Sequence, residues 1–85
     1  KIIVYTVKLE IITPEKTLYS GKVNSINLPG SKGRFTVLYN HAPIISTLEK
    51  GQIKITTEEK KTEIIDITGG VVEVKKNKII NTLLR

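Results

Sequence analysis

The sequence predicts an all-β fold, an antiparallel β-sandwich or barrel of nine or ten strands with essentially no helix. Apolar and polar residues alternate with a period of two along most of the 85 residues, as expected of strands that bury one face. Turn signals recur roughly every 6–12 residues, a spacing typical of sandwiches and barrels. No segment keeps the 3.6-residue period of an amphipathic helix.

The alternation and the turn residues delimit the strands in order. On the first strand, one face carries Tyr5, Val7, Leu9 and Ile11. Ser20-Gly21 is predicted to break the chain between the second and third strands. The remaining strands are predicted over residues 17–19, 23–28, 34–38, 44–48, 52–57, 62–68, 71–74 and 79–84.

The turns have local explanations. Pro14 presets φ in the turn over residues 13–16. Glycines permit a hairpin over residues 30–33, and Asn40 tolerates a left-handed conformation in the turn that ends at Pro43. The polar run 58–61 and the pair 76–77 are predicted as hairpin tips.

Apolar doublets interrupt the alternation. Because neighbours on a strand point to opposite faces, one member of each doublet must leave the core side. Isolated apolar residues are ordinary on a surface, but several together predict an outer apolar patch, which usually marks a partner site. The doublets are Ile11-Ile12, Ile44-Ile45, Ile64-Ile65, Val71-Val72, Ile79-Ile80 and Leu83-Leu84.

Composition predicts one small domain over residues 1–85. The absence of cysteine excludes disulfides and thiolate metal sites and favours a reducing compartment. The longest apolar run, residues 2–5, is too short for a membrane span or a secretory signal. The net charge of +6 permits an acidic protein, a nucleic acid or an anionic membrane as partner.

The sequence does not favour catalysis. His41 is the only histidine and Asp66 the only aspartate, and no nucleophile elbow, phosphate loop or dinucleotide fingerprint occurs. The carboxylates, which a metal site would require, are mostly interleaved with lysines. We therefore predict a chain that is not an enzyme by itself and that has no cofactor and no metal.

Taken in order, several short motifs resemble the amino-terminal domain of the epsilon subunit of F-type ATP synthases, called delta in mitochondria. The resemblance implies a flattened ten-stranded β-sandwich in the rotating central stalk. In this role the domain couples proton-driven rotation of the c-ring to the gamma subunit and so to ATP synthesis. The motifs are Leu9 to Pro14 followed by Ser20-Gly21, Leu28-Pro29-Gly30 with Gly33, Phe35-Thr36-Val37-Leu38, Asn40-His41-Ala42-Pro43, Leu48 with Gly51, and Gly69-Gly70 before Val72-Glu73-Val74.

The resemblance also implies two contact surfaces in a hetero-oligomeric complex. Membrane contact occurs only through the c-ring, at the cytoplasmic face of the bacterial inner membrane or the matrix or stromal side of an organelle. The c-ring loop comprises Gly30, Ser31, Lys32, Gly33 and Arg34. The segment that faces gamma comprises His41, Ala42, Pro43, Ile44 and Ile45, and the sequence leaves open whether Ile44 or Ile45 faces outward.

Two features depart from the family pattern. Relatives usually continue into an inhibitory two-helix hairpin, whereas this chain stops at Arg85, so we expect the carboxy-terminal helical domain to be absent. Many relatives have an acidic residue in the c-ring loop, where this chain has Lys32 and Arg34. The sign of the charge pairing with the ring therefore stays open.

Two alternatives remain. A small basic barrel could bind nucleic acid through Lys32 and Arg34, although the four scattered aromatic residues offer few stacking platforms. A sandwich of this kind could also act as an adaptor for a different protein partner.

Overall fold

The computed structural model describes residues 5–84, and within that range the chain forms eight strands and no helix. The all-β prediction is confirmed, with eight strands rather than ten. Residues 1–4 and 85, including most of the apolar run 2–5, lie outside the described range. The strands are β1 (Val7–Ile12), β2 (Thr17–Gly30), β3 (Gly33–Val37), β4 (Ile44–Leu48), β5 (Gly51–Thr57), β6 (Thr62–Ile67), β7 (Gly70–Lys75) and β8 (Lys78–Leu83).

The strand count differs because β2 is a single strand of 14 residues. The predicted break at Ser20-Gly21 is wrong, since these two residues pair in register with Glu10 and Leu9 of β1. Strand formation depends strongly on the neighbouring strand, and here β1 provides a continuous partner. One glycine is not enough to interrupt the pairing.

β2 takes part in two layers. Its first half pairs with β1, and that layer continues through β8 and β7 to β4. Its second half pairs with β3 and β5, and β5 pairs with β6. A register shift between Val23 and Ser25 marks a bulge, which bends the strand as it passes from one layer to the other.

One strand pair departs from the antiparallel prediction. β1 and β8 are parallel, whereas every other pairing among the described residues is antiparallel. Parallel neighbours need a long connection. The chain meets this requirement because β1 and β8 lie at opposite ends of the described sequence.

The core between the layers is aliphatic. It takes the inward residues of both layers, so the predicted alternation is confirmed along β1, β5, β7 and β8. One polar side chain, Asn81, is buried among them. The buried apolar residues are Val7, Leu9, Ile11, Val23, Ile26, Leu28, Val37, Leu48, Ile53, Ile55, Ile67, Val72, Val74, Ile79 and Leu83.

The predicted turns form as expected. Thr13 closes the first turn, with its backbone N–H and its hydroxyl both donating to the carbonyl oxygen of Lys16 at 2.8 and 3.1 Å. Lys76 and Asn77 have φ values of 51° and 61°, as a two-residue type I′ hairpin requires. No helix long and apolar enough to cross a membrane occurs among residues 5–84.

Candidate interaction surfaces

The turn between β2 and β3 is built on two glycines. A Cβ atom at Gly30 would lie 2.7 Å from Cε1 of Phe35 and 2.8 Å from the carbonyl oxygen of Gly33. Gly33 has a φ of 121°, which side-chain-bearing residues rarely adopt. The c-ring loop predicted from the sequence is therefore a tight turn with little freedom at either end.

This turn is attached to the end of β4. The backbone N–H of Ser31 donates to the carbonyl oxygen of Thr47 at 3.0 Å, and the two hydroxyl oxygens lie 2.7 Å apart. A surface cleft is lined on one side by residues 30–35 and on the other by residues 44–47. The structure thus brings the predicted c-ring loop and part of the predicted gamma-facing segment to one cleft.

Arg34 lies against the outer face of β2 and β5. Its Nε donates to Oδ1 of Asn27 at 2.7 Å, and its Nη2 donates to the carbonyl oxygen of Gln52 at 2.6 Å. Nδ2 of Asn27 in turn donates to the hydroxyl of Thr36 at 2.9 Å. Two guanidinium donors are therefore occupied within the fold, while Lys32 is exposed at the tip of the turn.

The loop between β3 and β4 is fixed by an asparagine pair. Asn40 has a φ of 64°, as predicted. Its backbone N–H donates to Oδ1 of Asn77 at 2.6 Å, and Nδ2 of Asn77 donates back to Oδ1 of Asn40 at 3.2 Å. The carbonyl oxygen of Asn77 also accepts from the N–H of Lys8 at 3.0 Å. Asn77 thereby joins this loop, the β7–β8 turn and the start of β1.

His41 also has local partners. Its backbone N–H donates to the carbonyl oxygen of Leu38 at 3.1 Å, and its Nδ1 lies 2.7 Å from the carbonyl oxygen of Ala42. Because a carbonyl oxygen only accepts, Nδ1 is the donor. His41 therefore shapes the turn that leads into Pro43 and β4.

An aromatic contact that was not predicted from the sequence lies at this end of the sandwich. The rings of Tyr5 and Tyr39 meet edge to face, with centroids 5.1 Å apart. Both rings and the neighbouring Leu38 are exposed. Spacing alone could not reveal this contact, because the two tyrosines are 34 positions apart in the sequence.

The structure decides which isoleucine of β4 faces outward. Ile44 pairs with the buried Val74 and packs against the core. Ile45 pairs with the exposed Glu73 and is itself 73% exposed. Ile45 is therefore the member of the doublet that a partner can reach.

The outward members of several doublets meet on one surface. Strand pairing aligns Ile45, Glu73, Ile80 and Glu10 in one row across β4, β7, β8 and β1. It aligns Thr47, Val71, Thr82 and Ile12 in the next row. We call this outer surface the apolar face, defined by Ile12, Ile45, Val71 and Ile80. The exposed Ile64 lies apart from it, on β6 of the other layer.

Within residues 5–84, no group of three or more histidine, aspartate or glutamate side chains is arranged as a metal site requires. The surface features above are polar turns and an apolar sheet face. Such an arrangement can bind another macromolecule by contact.

Known proteins share both the sequence and the fold. Residues 6–80 match the family described as ATP synthase, Delta/Epsilon chain, beta-sandwich domain. The ATP synthase epsilon chain of Leptospira interrogans is 46% identical over 72 residues, which is 85% of this chain and 56% of that protein. The epsilon chain of Chlorobaculum tepidum is 39% identical over 72 residues, 85% of this chain and 82% of that protein.

Solved structures agree in fold. One similar chain belongs to the mitochondrial ATP synthase of Euglena gracilis, solved as an assembly of OSCP, F1 and c-ring. It matches with a TM-score of 0.91 and 18% sequence identity, and the match covers 100% of this chain and 54% of the Euglena chain. A second similar chain belongs to the central stalk and c-ring structure of the Tetrahymena thermophila mitochondrial ATP synthase. It matches with a TM-score of 0.75 and 21% sequence identity, and the match covers 92% of this chain and 63% of the Tetrahymena chain.

This chain spans about half the length of several curated relatives that it matches, such as the Leptospira protein at 56%. The match over residues 6–80 nevertheless includes all of β1 to β7 and the start of β8. The chain therefore belongs to the ATP synthase delta/epsilon family, of which it carries the β-sandwich domain.

Proposed function

We propose that this chain is a non-catalytic subunit of the central stalk of an F-type ATP synthase. In this role it couples rotation of the c-ring to the gamma subunit, and so to ATP synthesis in the catalytic head. The family match over residues 6–80 carries the proposal. The names of the relatives, all ATP synthase epsilon chains, support it.

The physical character of the domain suits this role. A close-packed interior has low compressibility and transmits strain, and here an aliphatic core fills the space between two layers that share β2. A part that passes torque between two neighbours needs this stiffness. It also needs a contact surface for each neighbour.

Under the proposal, the turn around Lys32 meets the c-ring and residues 41–45 meet gamma. The turn presents two exposed positive charges, Lys32 at its tip and Arg34, which is held against β2 and β5 by hydrogen bonds to Asn27 and Gln52. The apolar face around Ile45 provides the start of a gamma interface, and a stable interface buries about 1,600 Å² in total. The complex lies peripherally at the cytoplasmic face of the bacterial inner membrane, or at the matrix or stromal side in an organelle.

Nucleic-acid binding through Lys32 and Arg34 has less support. The guanidinium of Arg34 already donates two hydrogen bonds within the fold. Three of its five N–H donors are therefore left for a phosphate, and their direction is fixed by these two bonds.

The proposal is tested with two single variants, in which aspartate replaces one or the other isoleucine of β4. Ile45→Asp should leave the free energy of unfolding near the wild-type value, because the side chain is 73% exposed, and should weaken gamma binding at least about tenfold, as loss of a central anchor does. Ile44→Asp should cost several kcal/mol of stability, since it places an unpaired charge against the core. Urea unfolding and titration with the gamma subunit of the same synthase measure the two effects.

Ile64→Asp is the matched control, because Ile64 is 54% exposed on the other layer. It should change neither stability nor gamma affinity appreciably. Unaltered gamma binding by Ile45→Asp, or failure of the wild-type chain to bind gamma, would contradict the proposal.

A further inference from the structure

Lysines from four neighbouring strands stand in one row on the same side as the apolar face. Lys8 of β1 pairs in register with Lys22 of β2 and with Lys78 of β8, and Lys78 pairs with Lys75 of β7. All four side chains are exposed. Paired residues share a face and lie about 5 Å apart. We call these four residues the lysine row.

The lysine row has a cost in the isolated domain. Like charges directly opposite one another destabilise a sheet, and this row contains three such pairs. The adjacent row supplies only two carboxylates, those of Glu10 and Glu73, against the four ammonium groups. The positive charge is not balanced within the sheet, so the opposite charge is expected on a partner.

The lysine row is continuous with the proposed gamma surface. Lys75 lines one cleft together with Pro43, Ile45 and Glu73. Lys75 and Lys78 line a second cleft together with Glu73 and Ile80. The row therefore borders the apolar face on the side where the segment 41–45 enters β4.

The position of the lysine row beside the apolar face indicates which class of partner can bind there. A nucleic acid would supply negative charge but would leave Ile45, Ile80 and Val71 uncovered. An anionic membrane would cover them only by bringing the carboxylates of Glu10 and Glu73, which stand in the row of Ile45 and Ile80, against its own negative charge. A protein surface that carries apolar side chains with carboxylates along one border complements both rows. The combination of charge and apolar area thus favours a protein.

We propose that the lysine row is the charged border of the gamma interface and recognises carboxylates on the gamma subunit. The inference rests on the proposed function, and it extends the contact from residues 41–45 across β7, β8 and β1 to Lys22. Charges at the border of an interface act chiefly on the association rate and on its salt dependence. Apolar anchors such as Ile45 act chiefly on the dissociation rate.

The experiment compares two double variants that remove the same net charge. Lys8→Gln with Lys78→Gln removes the centre of the lysine row, and Lys50→Gln with Lys54→Gln removes two exposed lysines elsewhere on the chain. Association and dissociation rates with the gamma subunit of the same synthase are measured by surface plasmon resonance from low to high salt.

The row variant should associate about 5–20-fold more slowly at low salt, with a flatter salt dependence and a dissociation rate within about twofold of wild type. The control should stay within about twofold of wild type in both rates. The row variant should fold at least as stably as wild type, because repulsion between lysines is relieved. Urea unfolding checks this.

Equal salt dependence in the row and control variants would overturn the lysine-row proposal and leave the rotor function standing, provided that wild type binds gamma. Failure of wild type to bind gamma would overturn both. If the row substitutions abolish binding to single-stranded nucleic acid or to anionic vesicles but leave gamma kinetics unchanged, the row serves that other partner and the proposal is wrong.

Discussion

Asn81 is the polar side chain that the core of residues 5–84 encloses completely, with 0% of it exposed. The alternation along β8 places Ile79, Asn81 and Leu83 on the inner side. Neither Oδ1 nor Nδ2 of Asn81 has a hydrogen-bond partner among the described residues. A buried amide without partners costs about 1–3 kcal/mol, so this residue weakens the domain.

We expect Asn81→Val to raise the free energy of unfolding by about 1–3 kcal/mol, because valine removes the unpaired amide and suits a strand. Urea unfolding followed by circular dichroism measures the change. Thr82→Val, at the exposed neighbour on β8, is the control and should stay within about 0.5 kcal/mol of wild type. A less stable Asn81→Val would mean that the amide is satisfied in solution.

Tyr19 is a residue whose ionisation should make the stability of the domain depend on pH. Burial raises the pKa of Tyr19 above its ordinary value, and the negative charges of Glu63 and Glu58 raise it further. The folded chain therefore keeps the phenol proton when the unfolded chain begins to lose it, at about pH 10. Tyr19 therefore leaves the stability unchanged below that pH. Its ionisation lowers the stability as the pH rises from there through the raised pKa of the folded chain.

The wild type should therefore lose more stability than Tyr19→Phe between pH 9 and pH 11, because phenylalanine has no proton to lose. All other ionisable groups are common to the two proteins. Urea unfolding at several pH values measures the difference. Parallel pH profiles for the two proteins would show that the environment of Tyr19 does not shift its ionisation.

At the scale of elements, β2 contains two glycines that differ in what surrounds them. A Cβ at Gly21 would have its nearest neighbour, Cε1 of Tyr19, at 3.8 Å, an ordinary contact. A Cβ at Gly30 would meet Phe35 and a backbone oxygen at under 3 Å. One glycine is thus dispensable, and the other is required by the β2–β3 turn.

Gly30→Ala should lower the free energy of unfolding by about 1–3 kcal/mol, because Phe35 and the turn must move. Gly21→Ala should raise it by about 0.4–1 kcal/mol, since alanine reduces the freedom of the unfolded chain. Denaturant unfolding of both variants provides the comparison. A destabilising Gly21→Ala would show that β2 does not run straight through Ser20-Gly21 in solution.

Some features of the strands and turns can be predicted from the local sequence, and others cannot. The hairpin at Lys76-Asn77 and the left-handed Asn40 were predictable, because turn geometry depends on the residues of the turn itself. The continuity of β2 was not, since it depends on β1 as a partner. The hydrogen bond between Asn40 and Asn77 was likewise not predictable, because it joins two turns that are separated by four strands.

At the scale of the whole molecule, the strands should differ in how strongly their backbone amides are protected from hydrogen exchange. β2 is held by β1, β3 and β5, with a single bridge to β4, whereas β6 pairs only with β5 at the edge of its layer. Strands with partners on both sides open only with the whole domain, and edge strands open locally.

We therefore expect backbone amides in the β2 segment that pairs with both β3 and β5 to exchange more slowly than the amides of β6, by a factor of roughly 10 or more. Hydrogen exchange followed by NMR on the assigned chain measures this. Amides of β5 that bond to β2 serve as the internal reference for global unfolding. Uniform exchange across β2 and β6 would contradict this prediction, because it would mean that the edge strand opens only together with the rest of its layer.

The sequence by itself determined the all-β class, the turns and the family, and the resemblance to that family implied the two candidate contact segments, 30–34 and 41–45. These features follow from local periodicity, from turn chemistry and from the order of motifs along the chain. It also predicted that one member of each apolar doublet would leave the core, because neighbours on a strand face opposite ways.

The tertiary structure alone decided that Ile45 rather than Ile44 faces outward, that Arg34 is held by Asn27 and Gln52, and that the lysine row exists. Each of these depends on the register between strands that are distant in the sequence. A shift of one residue in that register would exchange the two faces of a strand, and pairing across the sheet, rather than spacing along the chain, sets that register.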